Sequence, residues 1–192
     1  MDVRVATEDD IDGVTATLTA AFEADPLWSW AFPGGEGLEA FWRFFVASAL
    51  RYPCVRIAGD YAAASVWIPP GGAELTDEEE EAIEPLLHDL IGPRAAEVIE
   101  LLERFEASHP AERPHYYLSL LGTHPDRRGE GIGMALLVDG LELTDAEGMP
   151  AYLESSNAAN DPRYERLGFS RIGRVTRPDE GVSASTMWRE PR

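Results

Sequence analysis

The stretch that most constrains this chain is a strand-like segment that runs into a glycine loop and then into a helix. His115 to Thr123 is apolar and rich in aromatics. Arg128-Gly129-Glu130-Gly131-Ile132-Gly133 follows, and Ile132, Leu136, Leu137, Leu141 and Leu143 then lie along a helix. Such a turn is an anion site, because the first amides of a helix have no internal partner and the helix dipole is positive there. Glycine also lets the backbone come close to a pyrophosphate. The spacing is not the dinucleotide-binding G-x-G-x-x-G, since glycines stand at 129, 131 and 133 and Ala135 follows Met134. A structural loop with no ligand would use the same glycines, so the residues around it have to decide.

Apolar periodicity maps the rest of the chain. Val3 to Ala6 alternates as a short strand and Thr7 is placed as a helix N-cap. Ile11, Val14, Leu18, Ala21 and Phe22 share one helical face up to about Ala24, where Asp25-Pro26 ends it. An aromatic loop, Trp28 to Phe32, and the breaker Pro33-Gly34-Gly35 lead into a second helix carrying Leu38, Phe41, Trp42, Phe45, Val46, Ala49 and Leu50. Val55–Ala58 and Tyr61–Ile68 read as a hairpin around Gly59-Asp60. Two helices, roughly Asp77 to Leu90 and Pro93 to Glu106, form an excursion before the strand at 115. Pro93 suits a first helical turn. Strands at Pro150–Leu153, Phe169–Val175 and Ser183–Trp188, with a short helix Asp161–Leu167, close the chain. At 192 residues and 44% apolar content, without internal repeats, 1–192 reads as a single domain.

Composition removes several chemistries. All 16 basic residues are arginine, so a Schiff-base lysine, a pyridoxal-phosphate anchor and the G-x-x-x-x-G-K-[ST] phosphate loop are excluded. The single cysteine, Cys54, rules out an internal disulfide and a thiolate zinc cage, and reads as a small buried hydrophobe before a strand. His88, His109, His115 and His124 lack metal-ligand spacing, so no metal is expected. A net charge of −19 argues against a nucleic-acid partner and favours cationic ones. Residues 74–106 hold 12 acids and 2 arginines; this block either draws in a cationic substrate or is simply a solvated helix face. No basic patch followed by an apolar stretch opens the chain and no segment is long enough to span a membrane, so a cytoplasmic protein without a membrane partner is expected.

The residues around the loop complete a pattern. Leu121-Gly122-Thr123-His124-Pro125 followed by Arg127 to Gly133 resembles the acetyl-CoA motif of the GNAT superfamily of N-acetyltransferases. Tyr152 to Ser156, Asn160 and Tyr164-Glu165-Arg166-Leu167-Gly168-Phe169 resemble the second half of that signature. The likeness extends over nearly the whole chain and is closest to puromycin N-acetyltransferase and its relatives, through Val3 to Thr7, Ala20-Ala21-Phe22, Ala64 to Trp67 and Ile91 to Arg94. It implies an α+β fold, with a central twisted, mostly antiparallel sheet of about six to seven strands flanked by helices.

The resemblance also implies site roles. Acetyl-CoA is the implied co-substrate, with Leu121, Gly122 and Thr123 offering backbone to the pantetheine arm and the acetyl carbonyl. Arg128 and the segment Gly129, Glu130, Gly131, Ile132 and Gly133 would hold the pyrophosphate, with Glu130 turned to solvent because its charge opposes the ligand. A backbone N–H aimed at the thioester oxygen typically lowers the barrier by roughly 2.7 to 4 kcal/mol. Tyr164 matches the proton donor for the leaving thiolate, or else packs on the helix covering the coenzyme. Asn160 touches the coenzyme, caps the next helix, or does both. Glu154 is the candidate base, or an outward structural carboxylate, and Asp25 is a weaker one. Trp28, Trp30 and Phe32 either wall the acceptor site or belong to the core. No G-x-S-x-G turn surrounds Ser155 and Ser156, which disfavours a hydrolase triad. The implied reaction is direct attack by a primary amine of a small molecule, antibiotic-like and cationic, in a ternary complex. The alternatives are a protein lysine or N-terminal acetyltransferase and a non-catalytic acyl-CoA-binding module. Both monomer and homodimer stay open.

Overall fold

Alternating strands and their turns build a seven-stranded sheet in the computed structural model, which describes residues 2–192. The strands are β1 (Val3–Val5), β2 (Val55–Ala58), β3 (Ala63–Ile68), β4 (Tyr116–Thr123), β5 (Ala151–Ser155), β6 (Ser170–Thr176) and β7 (Ser183–Arg189). Their order is β1-β2-β3-β4-β5-β7-β6. Every neighbouring pair is antiparallel except β4 and β5, which run parallel. The helices are α1 (Ile11–Phe22), α2 (Trp28–Ala31), α3 (Leu38–Ala49), α4 (Asp77–Ile91), α5 (Ala95–Ser108), α6 (Ile132–Ala146) and α7 (Asp161–Arg166). The mixed α+β architecture and the strand count are those expected from the sequence.

Local chemistry accounts for the departures. Helix α1 begins at Ile11, after a tight 3-10 turn over Glu8–Asp10, and not directly behind Thr7. The Asp10 carboxylate closes that turn by accepting from the Thr7 amide (2.9 Å) and hydroxyl (3.0 Å), from Arg4 and from the Tyr61 phenol (2.6 Å). One carboxylate thereby ties β1, the start of α1 and the β2–β3 turn together. Pro93 sits in a 3-10 turn, Gly92–Arg94, that links α4 to α5, and does not open the second helix.

Two apolar layers cover the sheet. On one side α1 and α3 pack Leu18, Phe41 and Trp42 against it; on the other, α6 buries Leu136 and Leu137, each worth roughly 1.5–3 kcal/mol relative to exposure. Gly140 lets α6 approach β3, since a Cβ there would collide with the Trp67 indole. The acidic excursion is amphipathic. Leu87, Val98 and Leu101 are fully buried while most of its acids face solvent. Cys54 is buried as expected. Among the described residues no helix is long and apolar enough to cross a membrane, and no group of three or more His, Cys, Asp or Glu side chains is placed to hold a metal ion.

Candidate active site

The site begins where the one parallel pair fails. β4 and β5 stay paired from Tyr116 with Ala151 to Leu118 with Leu153, and then diverge, so β4 from Ser119 to Thr123 has no ladder partner on that side. At the same height β4 carries an irregularity against β3, where Val66 faces Leu120 and Trp67 faces Leu118, leaving Ser119 as the extra residue. Such a bulge re-aims a side chain and loosens pairing. A continuous cavity of about 1560 Å³ opens at this wedge and reaches from the glycine loop to the inner face of the excursion.

One wall is built from backbone. Gly131, at φ +77°, is the left-handed residue before α6, a conformation that costs any side chain about 1–2 kcal/mol. Gly133 serves packing instead, because a Cβ there would collide with the Thr123 hydroxyl at the end of β4. The Arg128 amide donates to Pro125 (3.2 Å) and the Ala135 amide to Gly131 (3.0 Å); the amides from 129 to 134 have no acceptor among the described residues. Six neighbouring N–H groups at a helix N-terminus fit a pyrophosphate, so the residues present suit acetyl-CoA. Arg128 lines the cavity and donates to the Ala21 carbonyl at the end of α1 (2.9 Å).

The residues predicted for coenzyme and chemistry all line this cavity except Glu130. Glu130 is half exposed and lies off the lining, accepting two hydrogen bonds from Arg127 (2.9 Å each), which hold its carboxyl below the usual range. Its charge is met by a neighbour and its side chain points away from the cavity, so only its backbone amide belongs to the loop wall. Asn160 heads α7 without capping it; its carbonyl oxygen accepts from Arg163, and the side-chain cap one turn earlier is Asn157. Asp25 is spent on structure. It accepts from the amides of Leu27 (2.9 Å) and Trp28 (3.3 Å) and from the Ser156 hydroxyl (2.8 Å), although burial pushes its carboxyl up.

The other wall is built from side chains. Glu154, on β5 just past the point of divergence, has a side chain only 6% exposed. Burial pushes its carboxyl up to about 8, helped by the charges of Glu74 and Glu106 and opposed by hydrogen bonds from the Tyr117 and Tyr152 phenols. Tyr164 lines the cavity from α7, edge-on to Phe169, and burial with the charges of Asp161 and Asp25 raises its phenol to about 12. Glu74, ahead of α4, faces the same space and accepts from the bulged Ser119 hydroxyl. Burial, then the Glu106 charge, brings it up to about 7. Glu74 is enclosed by protein yet half-exposed because what it faces is the cavity. The apolar part of this wall is Phe45, Trp42 and Phe105, with Trp28 contributing an edge. Phe32 is core, and Trp30 is held between Arg94 (5.3 Å) and Arg177 (4.9 Å), away from the cavity.

Sequence reasoning missed Glu74, Ser119, Tyr117 and His109. Glu74 was hidden inside a run of acids. Ser119 is distinguished only by a bulge that strand alternation does not display.

The sequence model of the Acetyltransferase (GNAT) family matches residues 60–169. An uncharacterized N-acetyltransferase of Schizosaccharomyces pombe is 30% identical over 95% of this chain and 80% of its own length. Among solved structures, an acetyltransferase from Corynebacterium glutamicum, grouped with a histone acetyltransferase, superposes with a TM-score of 0.68 at 25% identity, over 99% of this chain and 96% of that one. A polyamine N-acetyltransferase of Drosophila melanogaster gives 0.70 at 15% identity, over 98% of this chain and 99% of that one, a likeness of fold alone. The chain belongs to the GNAT acetyltransferase family.

Proposed function

We propose that the protein transfers an acetyl group from acetyl-CoA to a primary amine on a small cationic molecule, by direct attack with both substrates bound. The observation that carries this reading is the position of Glu154, a buried carboxylate at the point where β4 and β5 part, between the wall of free amides and the acidic, aromatic lobe. Acetyl-CoA, when bound, supplies the reactive thioester. The amides of 129 to 134 and Arg128 hold its phosphates, and the unpaired edge of β4 around Leu121 to Thr123 aligns the arm.

Glu154 accepts the proton of the incoming ammonium. A carboxyl at about 8 is a far better match for an amine near 10.4 than an ordinary one at 4.5. Tyr164 stays protonated at neutral pH and donates a hydrogen bond to the sulfur as it gains charge. Full proton transfer from a phenol near 12 to a thiolate of ordinary pKa, about 8.5, is uphill, so the hydrogen bond is its contribution. Glu74 and Glu106 give the acceptor lobe its preference for cations. The excursion walls the cavity, a shape suited to a small molecule more than to a polypeptide.

The test is thiol release from acetyl-CoA over a panel of amines, with puromycin as its antibiotic-like member. Release with small cationic amines supports the proposal. Tight coenzyme binding with no release for any amine would leave a binding module instead.

A further inference from the structure

Glu154 has to be rid of its proton after each turnover, and it is nearly closed off from solvent. The side chain beside it is His109, whose Nδ1 lies 4.0 Å from Glu154 Oε1 at the end of α5. His109 Nε2 is 3.0 Å from His115 Nε2, and His115 Nδ1 is 2.7 Å from the Arg113 carbonyl oxygen. That chain has one consistent set of protons. A carbonyl only accepts, so His115 carries its proton on Nδ1 and presents a lone pair at Nε2. His109 therefore donates from Nε2, and its Nδ1 lone pair faces Glu154.

We infer that His109 relays the proton from Glu154 to solvent, with His115 as a positioning residue that fixes the His109 tautomer. The inference rests on the transferase reading above. The acceptor ammonium loses a proton to the Glu154 carboxylate. The Glu154 hydroxyl passes it through one bridging water, across the 4.0 Å gap, to His109 Nδ1, forming an imidazolium whose Nε2–H stays on His115. The imidazolium then gives its Nδ1 proton to the water of the cavity that His109 lines, restoring the neutral ring. The His109 side chain is 29% exposed against 6% for Glu154, so the proton moves outward. The ring is held for this task by Tyr117 and Tyr152, each edge-on with centroids 4.9 Å away.

Burial pushes Glu154 up to about 8, while burial and the neighbouring His115 lower His109 to about 4, so the proton rests on Glu154 and visits His109 briefly. The other titratable groups facing this pair are Tyr117, Tyr152, Glu74 and Glu106, the two glutamates through their charge on Glu154.

Two readouts test the relay. In ¹⁵N spectra of the imidazole rings, His109 should be the Nε2–H tautomer and His115 the Nδ1–H tautomer; the opposite tautomer at His109 would overturn the inference without reference to activity. In thiol-release kinetics, H109A and H109Q should each lower kcat by about 10²-fold with the KM for acetyl-CoA unchanged. Added imidazole should restore part of the rate in H109A, where the space is open, and none in H109Q. A kcat within about threefold of wild type in both variants would mean that Glu154 discharges to water and that His109 only packs. If E154Q is inactive while H109A is not, the relay fails and the transferase stands. A wild-type protein that releases no thiol with any amine removes both.

Discussion

The two walls of the cavity hold opposite charges by opposite means. The coenzyme side is made of main chain: consecutive amides without acceptors, a left-handed glycine and an unpaired strand edge, with the Arg127–Glu130 pair neutral overall. The acceptor side is made of side chains drawn from separate elements, Glu74 ahead of α4, His109 at the end of α5 and Glu154 on β5. Backbone dipoles cannot titrate, so the coenzyme wall should be indifferent to pH over the range where the acceptor wall changes charge. In the proposed reading, the difference assigns binding to the first wall and chemistry to the second.

Variants can break that division of labour. The largest effect is expected for Glu154→Gln, which should lower kcat by roughly 10²- to 10⁴-fold while leaving coenzyme affinity as it was, read by thiol release and calorimetry. Tyr164→Phe removes one hydrogen bond to a charged sulfur, worth about 1.5–3 kcal/mol, and should cost kcat roughly ten- to a hundredfold. Gly131→Ala forces a side chain into φ +77° and should weaken coenzyme binding about tenfold in calorimetry with kcat preserved at saturation. An unchanged affinity there would mean the loop is not the phosphate site. The smallest change is expected from Glu130→Gln, which frees Arg127 from an exposed pair and should tighten coenzyme binding only a few-fold, less at high salt.

Much of this was readable in the sequence, and unevenly between the walls. All seven strands and the anion loop follow from alternation, glycine placement and helical spacing, because these are local properties of the chain. The loop glycines follow in the same way, whereas the roles of Leu121 to Thr123 and Arg128 came from the family resemblance. Glu154 and Tyr164 needed the family resemblance. His109 and Glu74 were out of reach, since nothing local marks a histidine after a helix or one acid in an acidic run as facing β5. Asp25, the weaker candidate base, accepts from the Leu27 and Trp28 amides and the Ser156 hydroxyl, partners that come together only in the fold. Glu130 looked like a liability, and an arginine three residues away removes it.

The same carboxylate links chemistry to stability. The folded pKa of Glu154, about 8, lies above its ordinary 4.5, so the stability it contributes is full below about 4.5 and is lost as pH rises through about 8. Glu154→Gln should therefore melt higher than wild type at pH 9 and no higher at pH 4, an ordering that thermal denaturation at the two pH values will show.

The most direct measurement is the pH dependence of kcat/KM for thiol release, compared between wild type and Glu154→Gln with one amine. Wild type should rise through an apparent pKa near 8 as Glu154 becomes able to accept a proton, superimposed on the amine's own ionisation, while coenzyme affinity stays flat. In Glu154→Gln that inflection should vanish, leaving only the ionisation of the amine. An inflection near 8 that survives in the variant would contradict the assignment of the chemistry to the side-chain wall.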